Sequence, residues 1–374
     1  MISLYIHIPF CTKKCPYCHF YVVQDKEELK DILLQGLLQE LERWKNTLNG
    51  RKLLSIYLGG GTPILFGNKR VQKLLEEIHK VIPIEKSTEI TIEANPENVS
   101  LDLLKELFQI GVNRVSIGIQ SFEQNELEIL GRDHEVTTAE KAIFTAFDAG
   151  FQNISIDLMY DVPKQTKNTF QKSLDKVKTL PITHLSLYNL TIEPYTPFEK
   201  KEKLLKSLMP DDETSAQMYK DAITTLKSMG LEQYEISAFC KNDLNSHHNI
   251  GYWTAREFIG LGPSAFSFLN NVRFQNVQNL IRYKKLLDDN ESPIDFRDDV
   301  SICNRRKELL ALNLRLLKGV DLNEFQNANG VLESDTLKAL QTLKAQGLLQ
   351  EKEGIISLTE KGLFFYDTIA SELI

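Results

Sequence analysis

SLYIHIPFCTKKCPYCHF, residues 3 to 20, is the stretch on which the reading of this chain turns. Ser3–Ile8 is rich in Ile, Leu and Tyr and stops at Pro9, the pattern of a strand. Cys11, Cys15 and Cys18 follow at once, spaced x3 and then x2, so three thiols share one loop after that strand. In α/β folds the chemistry gathers at strand C-termini, where connecting loops converge. Three thiolates on a tight loop suit a 4Fe–4S cube, binding three irons and leaving the fourth open to an outside ligand. Zinc is the alternative, and a closed zinc site takes four ligands. His7 or His19 is then the candidate for the fourth, but this spacing on a single loop is not a familiar zinc knuckle.

Working outward, five more short runs read as buried parallel strands: Leu53–Leu58, Glu89–Ala94, Arg114–Ile119, Asn153–Tyr160 and His184–Leu190. Between them, apolar residues recur at three- and four-residue spacing over Glu28–Trp44, Lys69–Val81, Leu101–Gln109, Thr138–Ala149 and Phe170–Thr179, which predicts helices. Six strand–helix units are too few for a closed eight-fold barrel, so an α/β fold built as a partial (β/α)6 barrel is expected over residues 1–210. Pro210–Met229 predicts a further helix and Gln233–Phe239 a strand, followed by an aromatic-rich, irregular stretch. Residues 211–287 are therefore read as completing the barrel. The charged, Pro-containing stretch Asp288–Asp299 is read as a boundary, with 288–374 a mostly helical, winged-helix-like module. Its expected parts are helices at Ser301–Leu317 and Ser334–Gln346, a hairpin over Leu348–Leu358 turning near Gly354, and a last helix from Thr359.

Composition narrows the function classes. The 374 residues carry 44 basic against 51 acidic side chains, a net charge of −7, which argues against a nucleic-acid-binding surface. No run of about 18 apolar residues is present, so no membrane span is expected. The N-terminus lacks the basic region and small-residue cleavage site of a signal peptide. With five cysteines, three of them clustered, this points to a reducing, cytoplasmic setting and a metal rather than a disulfide framework. Cys240 and Cys303 are given no role.

The second decisive motif is Gly59-Gly60-Gly61-Thr62-Pro63 at the end of the second strand. A strand end without side chains lets backbone approach a ligand closely. Together with the cysteine loop and Tyr17, it resembles the radical S-adenosylmethionine (SAM) proteins. The likeness narrows with LYIHIPFC, Glu93-Ala94-Asn95-Pro96, Ser116–Phe122, Gly131-Arg132-Asp133-His134 and Ile156–Tyr160, which in this order resemble the oxygen-independent coproporphyrinogen III oxidase family, the haem chaperones of the HemW type included.

The resemblance implies that Cys11, Cys15 and Cys18 bind a 4Fe–4S cluster, and that Tyr5, Gly60 and Glu93 contact the SAM bound to it. It implies that Tyr17, Gly61, Thr62, Gln120, Arg132 and Asp157 line the rest of the cofactor region, which in the oxidase branch takes a second cofactor molecule. Polar groups at strand ends (Glu93, Gln120, Asp157) suit ribose, amine and carboxylate recognition, and Arg132 suits a carboxylate. Three features favour the chaperone branch: Phe20 where the oxidases carry a further cysteine, no long extension before the first strand, and His248-Asn249-Ile250-Gly251-Tyr252-Trp253, which matches HNxxYW. An imidazole is a good axial haem ligand, and adjacent aromatics can stack on a macrocycle. His247, Asp161, Lys164 and Gly262–Ser267 depart from the chaperone pattern, the last leaning toward the oxidases. The expectation is a haem chaperone carrying haem as cargo to an acceptor protein, with an electron donor for its cluster. The alternative is an oxidase that removes hydrogen from a coproporphyrinogen propionate by radical chemistry and decarboxylates it to a vinyl group.

Overall fold

The computed structural model describes residues 1–374. Six strands run parallel in chain order: β1 (Ile2–Ile8), β2 (Leu53–Gly60), β3 (Glu89–Ala94), β4 (Arg114–Gln120), β5 (Asn153–Tyr160) and β6 (His184–Asn189). The longer helices between them are α1 (Glu27–Leu48), α2 (Asn68–Val81), α3 (Leu101–Gln109), α4 (Val136–Asp148) and α5 (Lys167–Val177). The expected α/β partial barrel is present, and these elements fall within a few residues of their expected bounds.

The strands are not uniformly apolar, as buried parallel strands usually are. Alternate residues point to opposite faces. Ile2, Leu4, Ile6 and Ile8 of β1, Ile56 and Leu58 of β2, Ile90 and Ile92 of β3, and Ile154, Ile156 and Leu158 of β5 are buried in one core with Leu33, Leu37, Leu74, Leu104 and Phe170 of the helices. The other face carries Ser3, Tyr5 and His7 of β1, Ser55 and Tyr57 of β2, Glu89, Thr91 and Glu93 of β3, Arg114 and Ser116 of β4, Ser155 and Asp157 of β5, and His184 and Ser186 of β6. The register sets these side by side, as in Tyr5 opposite Tyr57 and Glu93 opposite Ser116. The barrel therefore has a polar, aromatic lumen inside an apolar jacket.

At the far side, α6 (Asp212–Ser228) leads to two short antiparallel strands, β7 (Glu232–Glu235) and β8 (Ala238–Cys240), where one strand is expected. At the near side the chain returns through α7 (His247–Trp253) to β9 (Phe258–Leu261), which pairs parallel with β1, and then to antiparallel β10 (Phe266–Leu269), β11 (Val272–Asn276) and β12 (Ile294–Asp299). The stretch Asp288–Asp299, read from sequence as a boundary, thus ends in the edge strand of the large sheet. Its alternating charges are those of an edge guarded against further pairing.

The tail begins with α9 (Ile302–Asn313), α8 being Leu280–Asp288. It has its own core of Leu309, Leu310, Leu340, Leu343, Ile356 and Ile369 among others, and the expected hairpin (Leu349–Lys352 with Ile355–Leu358) gains a third strand from Val320–Asp321. Arg315 is one of the cations that fasten the tail to the barrel. The Arg315 guanidinium lies 4.1 Å from the Trp253 ring centre and 5.0 Å from that of Tyr366, and pairs with buried Glu235 at 3.3 Å. Asn313 also donates to the Trp253 carbonyl at 3.0 Å. Trp253, an aromatic that the sequence reading offers for stacking on a macrocycle, is half-buried with Arg315 over its ring.

Candidate cluster and cofactor site

The cysteine loop is closed at its base by a short parallel ladder, Phe10 opposite Val23 and Cys11 opposite Gln24. The Cys18 amide donates to the Cys15 carbonyl at 3.1 Å, making a turn of the second spacing. The glycine motif zips onto the same loop: Gly61 N–H donates to Ile8 O at 2.9 Å and Thr62 N–H to Phe10 O at 2.7 Å. A Cβ on Gly61 would sit 2.7 Å from the Phe10 carbonyl, and one on Gly60, whose φ is +112°, would sit 2.5 Å from the His7 ring. Both glycines are therefore required by close approach, and Gly60 by its backbone as well.

A third segment, Gly131–Asp133 in the connection between β4 and α4, clasps the cysteine loop. Gly131 lies against Pro16, and Lys13 pairs with Asp133 at 2.6 Å. Arg132 donates to Asn95 Oδ1 at 2.7 Å, to the Gly118 carbonyl at 2.8 Å and to Cys15 Sγ at 3.5 Å. Asn95 Nδ2 donates to Thr62 Oγ1 at 3.0 Å, and Thr62 Oγ1 lies 3.6 Å from Cys11 Sγ. A polar chain, Cys15–Arg132–Asn95–Thr62–Cys11, thus joins two thiols across the mouth. Asn95 is its central link, and the sequence reading gave it no role; its place is visible only once β2, β3 and β4 are side by side.

Cys11, Cys15, Cys18, Tyr17, Gly60, Gly61, Thr62, Glu93, Gln120, Arg132 and Asp157 all line one cavity of about 420 Å³ at the strand C-termini. Tyr5 and His248 lie in an adjoining cavity of about 460 Å³ that shares Gly60, Glu93, Phe20 and Tyr188 with the first. Every site residue expected from the sequence therefore falls in one of two contiguous cavities.

The donor set, three thiols on one loop, suits a 4Fe–4S cluster. Three thiols face one cavity, and the Gly60–Gly61 cradle next to them is the space a Cβ would fill. Burial pushes the Cys11 thiol up to about 11 and raises Cys18, so metal binding displaces protons there. Of the two candidate fourth zinc ligands, His7 has its nitrogens engaged by Tyr5 OH and the Tyr21 carbonyl, each at 3.0 Å, and His19 lines the cavity of the three thiols.

Glu93 accepts from Tyr57 OH at 2.8 Å and from Gly60 N–H at 3.1 Å. Burial pushes its carboxyl up to about 7, the charge of Asp157 adding to the rise, while Tyr57 and Gly60 oppose it. Asp157 is raised to about 6, again chiefly by burial. A carboxyl raised by folding binds its proton more tightly folded than unfolded. The resulting stability is complete below the ordinary carboxyl range and is lost as pH rises through about 6 to 7. The cofactor-free protein is accordingly expected to melt at lower temperature at pH 8 than at pH 5.5, and Glu93→Gln to reduce that difference. Thermal melts of both proteins across this range check it, and parallel pH profiles would contradict the assignment.

His248 is held at the base of the lumen. Its backbone N–H and that of His247 donate to Glu89 at 3.0 and 2.9 Å, so a carboxylate meets the α7 N-terminus. Its Nδ1 bonds Ser55 Oγ and its Nε2 bonds Tyr252 OH, both at 2.9 Å. Burial, then the charges of Arg256 and Arg114, lower it to about 3, so the ring is neutral, the form that ligates metals.

The comparisons with known proteins agree with this geometry. A family model described as the radical SAM superfamily matches residues 5–177, and one described as the HemN C-terminal domain matches 304–365. The Heme chaperone HemW of Bacillus subtilis is 33% identical over 97% of this chain and 96% of its own length. The chain belongs to the HemW family. The Heme chaperone HemW of Escherichia coli is 32% identical over 98% of this chain and 97% of its own length. Among solved structures, the coproporphyrinogen III oxidase HemN of Escherichia coli superimposes with a TM-score of 0.87 at 24% identity, covering 100% of this chain and 89% of that one, a likeness of fold. No helix is long and apolar enough to cross a membrane.

Proposed function

We propose that this protein is a haem chaperone: it binds a 4Fe–4S cluster, SAM and haem, and passes haem to an acceptor protein in the cytoplasm. The observation that carries the reading is the full-length likeness to proteins named Heme chaperone HemW, with His248-Asn249-Ile250-Gly251-Tyr252-Trp253 beside the cofactor cavity. Cys11, Cys15 and Cys18 would hold the cluster, which would anchor SAM and stabilise the assembly. Thr62, Asn95 and Arg132 fix the thiols and screen their charge. Gly60 and Gly61 would let the cofactor approach the loop, and Glu93 would offer a carboxylate to it, with Tyr5, Tyr17, Gln120 and Asp157 walling the remainder. His248 supplies a neutral imidazole for haem, with Tyr252 OH leaving Nε2 as iron takes its place.

The reconstituted protein, given coproporphyrinogen, SAM and a chemical reductant without oxygen, is expected to form no protoporphyrinogen. Stoichiometric protoporphyrinogen with methionine and 5′-deoxyadenosine would overturn the chaperone reading in favour of the oxidase.

A further inference from the structure

The cavity holding His248 continues outward. Tyr252, Phe258 and Phe266 wall it on one side and, on the other, wall a second cavity of about 300 Å³ between the large sheet and α9. Phe268, Leu309 and Leu312 complete an apolar slot, with Tyr252 meeting Phe258 edge-on at 4.8 Å and Phe266 still 43% exposed. Three arginines line this slot against one acid, Glu308.

The arginines are not equivalent. Arg273 is paired with Glu308 at 2.7 Å and Asp298 at 3.6 Å. Arg256 lies over Gly251, whose missing Cβ makes room for it, and donates only to neutral oxygens, Ser3 Oγ and the His247 carbonyl, each at 3.1 Å. Arg305 lies 4.7 Å from the centre of the Phe268 ring, and its Nη1 is buried with no hydrogen-bond partner. A buried guanidinium nitrogen without a partner is costly and is relieved by an anion.

We propose that this slot seats the carboxylate edge of a tetrapyrrole. The flat apolar body lies among Phe258, Phe266 and Phe268, and the propionates bond to Arg305 and Arg256, for which a guanidinium fork is matched. The proposal rests on the haem-binding reading above and adds to it where the cargo sits and which way it points. Charge complementarity selects this occupant: a neutral apolar ligand leaves Arg305 unpaired, and a small anion leaves the aromatic walls empty. Tyr252, Phe258 and Phe266, shared with the His248 cavity, make the slot and that cavity neighbours.

The test titrates full-length wild type, Arg305→Gln and Arg305→Lys with haem and with haem dimethyl ester, which lacks the carboxylates. Arg305→Gln is expected to weaken haem binding about tenfold to a hundredfold, the range for losing one charge-assisted hydrogen-bonded pair, and to leave ester binding unchanged. Arg305→Lys should recover part of the loss. Wild type should prefer haem to its ester by about tenfold or more, a comparison that needs no variant to fold. Saturable haem binding that is indifferent to both Arg305 and the ester overturns the slot and leaves the chaperone reading standing. No saturable binding of haem to wild type overturns both.

Discussion

Cys15→Ala protein, reconstituted anaerobically, is expected to hold almost no iron or acid-labile sulfide, against about four of each per chain for a full 4Fe–4S cluster in the wild type. The brown absorbance should vanish while the far-ultraviolet dichroism stays nearly unchanged. The separation follows from the structure. Cys15 lies on a loop whose shape is set by other bonds: the ladder at Phe10–Cys11, the amides of Gly61 and Thr62, and the Gly131 contact with Pro16. Its own side chain touches Arg132 alone among hydrogen-bond partners. Losing the thiol therefore costs a ligand and not a fold. A variant with wild-type iron content would refute the ligand assignment, and one with a lost dichroism signal would show that the loop supports the barrel.

Gly60→Ala is expected to destabilise the protein by about 2–4 kcal/mol and to abolish saturable SAM binding to the reconstituted form. Two costs add. A non-glycine residue held at φ of +112° is strained by about 1–3 kcal/mol. The new methyl would also lie 2.5 Å from the His7 ring, which cannot swing aside because Tyr5 OH and the Tyr21 carbonyl pin both nitrogens. Gly50→Ala is the control: φ is +76° there and nothing lies within 4 Å of the added Cβ, so only the backbone cost of about 1 kcal/mol is expected. Urea unfolding midpoints and equilibrium dialysis with labelled SAM measure the two effects. Equal destabilisation by both substitutions would show that the His7 contact is relaxed at little cost.

Much of this architecture was legible because local signals and tertiary outcome agree. Glu89–Ala94, Leu101–Gln109 and Asn153–Tyr160 form as strand, helix and strand at their expected bounds. Where the reading fell short, the deciding contacts are remote in sequence. His247–Trp253 has a histidine pair, a glycine and two aromatics, a poor helix by propensity. Ser246 caps it and Glu89, far back in the chain, accepts its first amides, so tertiary contacts impose the helix. Ile294–Asp299 reads as a charged linker because an edge strand resembles one until its partner Val272–Asn276 is known.

The site shows the same division. The cysteines and the glycine run announce themselves by spacing, whereas the polar chain through Asn95 depends on which strand ends are neighbours. One signal was available and unused: the alternation of Ser, Glu, Arg, His and Asp with Ile and Val in strands that a parallel sheet would ordinarily make apolar on both faces. That alternation marks a barrel with a working interior. Trp253 shows the same remoteness, since its ring meets Arg315, 62 residues further along the chain.

Whether the chain carries haem is tested most directly by a haem titration of the reconstituted protein followed by its Soret band, with His248→Ala in parallel. The prediction is a saturable, roughly one-to-one band in the wild type that shifts or is lost in the variant. Absence of any saturable band in the wild type would contradict the claim.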